Sequence, residues 1–276
     1  MYEAYWKLSQ RPFGSGADPR AYYPSDAHQG ALLKLRYTIE NQHSAALLSG
    51  APGTGKTLLM RLLAEQLPER FQPIIELVFP QMPAAELLAL FADELEEAPA
   101  ARSGSALPAI ADSVARIQES LREHAAKGRH TVLAIDDAQL LEGARTFETL
   151  RLLLNMESDG RPLLTLLLIG QPGLLPMMER MPHFEERLGA KCLLRPLTVE
   201  ETMGYVSHRL TAAGARQTIF DTDALETLFR LTRGVPRRIN RLCDLALLIA
   251  FADEQATVGP THIEAVAQEL AVAAVE

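Results

Sequence analysis

The chain reads as an α/β fold: a parallel five-stranded sheet flanked by helices, followed by a small all-helical region. Three observations predict it. A glycine-rich loop at 50–57 joins a short apolar run to an amphipathic helical stretch. Four further apolar runs alternate with helical patterns up to residue 194, the order that builds a parallel sheet with right-handed crossovers. From Pro196 onward helical periodicity stands alone.

Length and composition agree with that reading. At 276 residues the chain exceeds one typical core, so a large domain over 1–195, including an aromatic N-terminal arm, and a helical lid over 196–276 are expected. A net charge of -8 gives no overall pull toward nucleic-acid phosphates or anionic lipid, although a local basic patch stays open. Nucleic acid is thus a disfavoured partner. Cys192 and Cys243 lack C-x-x-C spacing, which argues against a disulfide framework or a zinc site and fits a reduced, cytoplasmic setting. The N-terminus lacks the basic and apolar regions of a secretory signal. The runs Leu163 to Gly170 and Leu245 to Ala252 are far shorter than the about 20 residues a membrane span needs.

The first 30 residues mix aromatics (Tyr2, Tyr5, Trp6, Phe13, Tyr22, Tyr23) with turn formers, an irregular arm expected to pack on the large domain. It leads into a helix from about Ala27 to Glu40. Tyr22, Tyr23 and Pro24 either line an adenine pocket or simply pin the arm. Ala45 to Ser49 suits a buried strand, and Gly50-Ala51-Pro52-Gly53-Thr54-Gly55-Lys56-Thr57 satisfies G-x-x-x-x-G-K-[ST] just before the helix that opens at Leu58. This is a P-loop. Its glycines let successive N–H groups turn inward around phosphates, the new helix adds its positive end, Lys56 brings a point charge, and the Thr57 hydroxyl suits Mg²⁺. Nucleotide binding follows.

Pro73 to Phe79 reads as a second strand, and helices are expected over about Ala84 to Glu97 and Pro108 to Lys127. The small-residue linker Pro99 to Ser105 between them is expected to be mobile. Thr131 to Asp137 is an apolar strand ending in two carboxylates, the Walker B pattern. It is expected beside the P-loop strand, with Asp136 on the metal and Asp137 facing the attacking water. A helix over about Thr146 to Glu157 and an Asp159-Gly160 turn lead to the strand Leu163 to Ile169. That strand ends in Gly170-Gln171-Pro172, which puts the Gln171 amide where it can meet a γ-phosphate or orient water, the role called sensor 1. A short strand at Lys191 to Leu194 closes the sheet. Arg187 precedes it, where an oligomer would present it to a neighbour's nucleotide; Arg180 and Arg195 compete for that role.

Beyond Pro196, Thr198 to Glu201 is a capping box, and Thr261 to Glu264 repeats the device. A helix over about Ala224 to Thr232 ends at Gly234, and Pro236 opens the next. Arg237 then sits at the positive end of a helix, where a cation gains nothing locally. That placement suggests a γ-phosphate across an interdomain cleft.

Gly50 to Thr57, Leu133 to Gln139, Gly170 to Leu174 and Gly234 to Asn240, taken in order, resemble the AAA+ ATPases of the general secretion pathway protein A type, and the opening arm is similar too. The resemblance spans nearly the whole chain. It implies a P-loop NTPase domain with a helical lid, with ATP and Mg²⁺ as ligands. It also implies Lys56 and Thr57 as Walker A, Asp136 and Asp137 as Walker B, Gln171 as sensor 1, Arg187 as an arginine finger and Arg237 as sensor 2. It further implies homo-oligomers that remodel protein partners, in the named members at secretion complexes of the cell envelope. Two departures stand out. Asp137 occupies a position where that family usually has Glu, and the chain ends after the lid, without the membrane span and peptidoglycan-binding region of the secretion proteins. The leading expectation is a cytosolic ATPase of slow turnover that drives oligomer assembly or partner remodelling. A nucleotide-dependent scaffold or switch with little turnover, and a DNA-engaging transposition or replication ATPase, are the alternatives.

Overall fold

The computed structural model describes residues 1–14, 16, 18–96 and 108–272. The linker Pro99 to Ser105 lies outside the described residues. Two compact units are present, one of Ala27–Gly50 and Leu59–Leu194, the other of Met1–Asp26, Ala51–Leu58 and Arg195–Glu276.

The first is a sheet unit. In chain order it holds α1 (Asp26–Glu40), β1 (Ala45–Gly50), the body of α2 (Lys56–Gln66), β2 (Ile74–Leu77), α3 (Ala84–Leu95), α4 (Ile110–Ala126), β3 (Thr131–Ile135) and α5 (Gly143–Leu153). A two-residue hairpin, β4 (Glu157–Ser158) and β5 (Arg161–Pro162), then turns at Asp159-Gly160 as expected. β6 (Leu164–Gly170), α6 (Leu174–Glu179), α7 (Pro182–Glu185) and β7 (Leu188–Leu194) complete it. The five-stranded sheet is wholly parallel, in the order β2-β3-β6-β1-β7.

That order corrects one expectation. The acidic strand β3 does not lie beside the glycine-loop strand β1, because β6 runs between them and pairs with both. β6 is seven residues long and buried throughout, and a strand apolar on both faces stabilises most when it has neighbours on both sides. Sequence gives the apolar run but not its place in the sheet. The closing strand is also longer than expected. β7 starts at Leu188, and its alternating burial is that of an edge strand. α5 starts and stops earlier than expected, since Glu157 is drawn into the hairpin.

The second unit is helical and contains α8 (Val199–Ala212), α9 (Thr222–Thr232), α10 (Pro236–Ala252) and α11 (Pro260–Val272). α8 carries the expected capping box: Thr198 accepts from the Glu201 N–H, and Glu201 accepts from the Thr198 N–H. The second box is not formed. Thr261 lies inside α11, and its entry is held instead by the Gly259 N–H donating to His262 Nδ1 at 3.0 Å. The arm belongs to this unit's core, a correction to its expected place with the α/β part. Tyr2, Trp6, Leu8 and Phe13 are buried among Val206, Leu247 and Phe220, and the Trp6 indole donates to the Leu247 carbonyl at 3.1 Å. Both cysteines are buried free thiols whose pKa burial pushes up, the environment of an unreactive thiol. No helix among the described residues is long and apolar enough to cross a membrane.

Candidate functional site

The glycine loop folds with the helical unit. Gly50 closes β1 in extended conformation, while Gly53 (φ 82°) and Gly55 (φ 100°) take the left-handed conformations that turn the loop. The Ala51 carbonyl gathers three donors: the Thr54 N–H at 3.3 Å, the Thr54 hydroxyl at 2.8 Å and the Lys56 ammonium at 3.3 Å. Lys56 is thereby buried at the first position of α2. Thr57 and Leu58 follow it in the first turn, both half-buried.

α10 reaches the same loop. The first N–H groups of a helix have no partner within it, and the Arg237 N–H donates to the Gly53 carbonyl at 3.2 Å. A Cβ on Gly53 would stand 2.7 Å from Arg237 Cβ and 3.3 Å from Val235 Cγ1. Gly53 is therefore required twice, by its backbone conformation and by the approach of α10. The Arg237 side chain is exposed. Gly234 (φ 71°) lets the chain turn into α10, because a Cβ there would collide with the Leu197 carbonyl.

The acidic pair stands at the end of β3 in the sheet unit. The Asp136 N–H donates to the Leu77 carbonyl at 3.0 Å, and the Asp136 carboxylate accepts from the Asp137 N–H at 2.8 Å. Asp137 is exposed and left-handed (φ 48°, ψ 39°). Asp is one of the few side chains that tolerate that conformation, which supplies a local reason for the shorter acid here. Gln139, quoted in the sequence only as part of a motif, proves to be a centre of this cluster. Its amide donates to Asp137 Oδ1 at 2.9 Å, and its Oε1 accepts from the Gln171 N–H at 2.9 Å. Proximity to the acids was the one signal that could have singled it out.

The basic candidates separate clearly. Arg187 is held within its own chain, donating to the Leu154 carbonyl at 3.3 Å and to Asn155 Oδ1 at 2.5 Å. Arg195 makes a bidentate pair with Glu201. Arg180 is exposed and, among the described residues, has no ion pair. Tyr23 stacks edge-on against Tyr205 at 5.9 Å and tilts toward His208 at 5.7 Å, so it pins the arm to α8.

These features suit a phosphate-rich ligand: a turn through Gly53 and Gly55, a helix N-terminus and a lysine in its first turn. The Thr57 hydroxyl in the helical unit and, separately, the Asp136 carboxylate in the sheet unit are each of the hard oxygen type that Mg²⁺ favours. Sequence and structure comparisons agree with that chemistry. A family profile described as "AAA domain" matches residues 39–178, and the chain belongs to this family of P-loop nucleotide-binding ATPases.

Within it, the chain is 37% identical over 260 residues to General secretion pathway protein A of Aeromonas hydrophila, a match covering 91% of this chain and 45% of that protein. It thus spans about half the length of that curated relative. Among solved structures, Cdc6p from Pyrobaculum aerophilum superposes with a TM-score of 0.73 at 19% identity, covering 94% of this chain and 70% of that one. The ORC2 protein of Aeropyrum pernix gives 0.69 at 18% identity over 95% and 72%. The RuvB branch migration motor of Thermotoga maritima gives 0.60 at 20% identity over 90% and 70%. These structural likenesses show the fold alone.

Proposed function

We propose that the protein is a cytosolic ATPase that binds Mg-ATP and hydrolyses it slowly, coupling nucleotide state to homo-oligomer assembly or to remodelling of a protein partner. The observation that carries this reading is the seating of α10 on the glycine loop: a 3.2 Å bond from the Arg237 N–H to Gly53, beside the buried Lys56, brings a guanidinium-bearing helix to a phosphate cradle. In this reading the N–H groups of Ala51 to Leu58 and the Lys56 ammonium grip the phosphates, and Arg237 answers the γ-phosphate. Thr57 and Asp136 would hold Mg²⁺, which would supply charge neutralisation on the phosphates. Asp137 accepts a proton from the water that attacks the γ-phosphorus as the bond to the ADP oxygen breaks, and Gln171 orients that water. A neighbour's arginine completes the charge balance. Arg187 serves if an oligomer frees it from Asn155, and Arg180 serves without that cost. The large and small domains of this ATPase divide near Arg195. The name of the Aeromonas relative supports a partner in secretion or the cell envelope.

Calorimetry tests the reading. Wild-type protein with Mg-ATP should bind, and Lys56→Ala should bind about 100-fold more weakly, the loss of a charge-assisted contact worth roughly 3 kcal/mol. Equal heats for the two proteins would refute it. A switch with little turnover is the second reading, favoured by the short acid at Asp137; ATP-induced assembly with no phosphate release would select it.

A further inference from the structure

Asp137, Gln139 and Gln171 form one hydrogen-bonded chain across two strand ends. Gln139 sits in a single tight turn after β3, anchored by Ala138, which is fully buried, and by the Leu140 N–H donating to the Asp137 carbonyl at 2.8 Å. Its side chain uses both ends of its amide, donating to Asp137 and accepting from the Gln171 backbone. Gly170 makes room for it. A Cβ at 170 would stand 2.5 Å from Gln139 Oε1 and 2.9 Å from Leu174 Cδ2, so the strand tip is cut to fit this amide.

An exposed carboxylate on a short side chain has no packing to fix its rotamer, and a general base is effective only when a third group orients it. We propose that Gln139 is the positioning residue of this site: it aims the Asp137 carboxylate and ties its position to the tip of β6, so that a shift of Gln171 is felt at the base. The proposal rests on the hydrolytic reading above and deepens it. Because Gln139 touches the acid and the backbone of β6, its role lies in turnover and not in nucleotide affinity.

Three variants decide the matter: Gln139→Ala, Gln139→Glu and Asp137→Ala, each assayed for phosphate release, nucleotide affinity and melting temperature. Gln139→Glu keeps the shape and the acceptor for Gln171 but replaces the donor to Asp137 with a negative charge. Both Gln139 variants should lose at least tenfold in kcat with KM and ATP affinity within twofold of wild type, and Gln139→Glu should melt within a few degrees of wild type. Unchanged kcat in Gln139→Glu would overturn the proposal. So would a fall in kcat matched by a comparable loss of affinity or of melting temperature in both variants, the pattern of a purely structural residue. Wild-type phosphate release no higher than that of Asp137→Ala would remove the hydrolytic reading itself and the positioning role with it.

Discussion

The two units achieve burial by different means. The sheet unit is built on continuous apolar strands, and β1, β3 and β6 are buried at every residue, so its core is shared among many aliphatic side chains. The helical unit draws its parts from three separate stretches of chain and ties them with individual polar pegs. Trp6 donates to the Leu247 carbonyl, Arg209 donates to the Pro12 carbonyl at 2.7 Å, and the Tyr205 hydroxyl donates to Asn240 Oδ1 at 2.7 Å. Asp244 accepts from both Tyr2 and Arg11. A single polar bond between segments far apart in sequence has no equivalent neighbour to replace it, so the helical unit is expected to be sensitive at these pegs. The glycine loop belongs to the second unit.

The largest effect should come from Gly234→Ala. A left-handed backbone and a carbonyl in the path of the new methyl should destabilise the helical unit by about 4 kcal/mol. Trp6 is the chain's one tryptophan and lies in that unit, so its fluorescence in urea should report the loss. Amide hydrogen exchange in the buried strands β1, β3 and β6, which reports the sheet unit separately, should change less. Equal shifts in both signals would break the comparison.

The sheet unit has its own vulnerable point, and it is set by pH. His130 is buried, accepts or donates at 2.8 Å to the Thr165 hydroxyl, and burial lowers its pKa from 6.5 to about 4. Between those values the unfolded chain binds a proton that the folded chain refuses. The stabilisation is therefore complete above pH 6.5 and is lost as pH falls toward 4, on the order of 3 kcal/mol in all. Replacing His130 with Gln should flatten the acid limb of thermal melting between pH 7 and 4.5. A wild-type curve no steeper than the variant's would remove this asymmetry.

The smallest effect sharpens the contrast from the other side. Thr198→Ala removes one half of the capping box of α8 and should cost about 1 kcal/mol, read again by Trp6 fluorescence. A cost near zero would mean that the helical unit tolerates the loss of a cap.

Much of this was legible in the residues. The strands β1, β3 and β6 appear as apolar runs because a doubly buried strand needs no polar face, and the Thr198 capping box and the Asp159-Gly160 turn are short-range chemistry. The glycine loop and the acid pair likewise announce themselves through local spacing. Other features escaped. Thr261 to Glu264 has the letters of a capping box, yet Pro260 starts the helix one residue earlier and His262 takes the Gly259 N–H. Arg187 looked available, but Asn155 lies 32 residues away in sequence and holds it.

Residue order alone settled most of what depends on neighbours a few positions apart: which segments are strands or helices, and the Thr198 cap and the Asp159-Gly160 turn among their boundaries. Only the folded chain decided what depends on residues far apart in sequence. It set β6 between the acidic strand and the glycine-loop strand, carried the aromatic arm into the helical core, laid α10 on Gly53 and joined Gln139 to both Asp137 and Gln171. The reason is physical: periodicity and capping are local energies written in the letters, whereas pairing partners are selected by burial and hydrogen bonding summed over the whole chain.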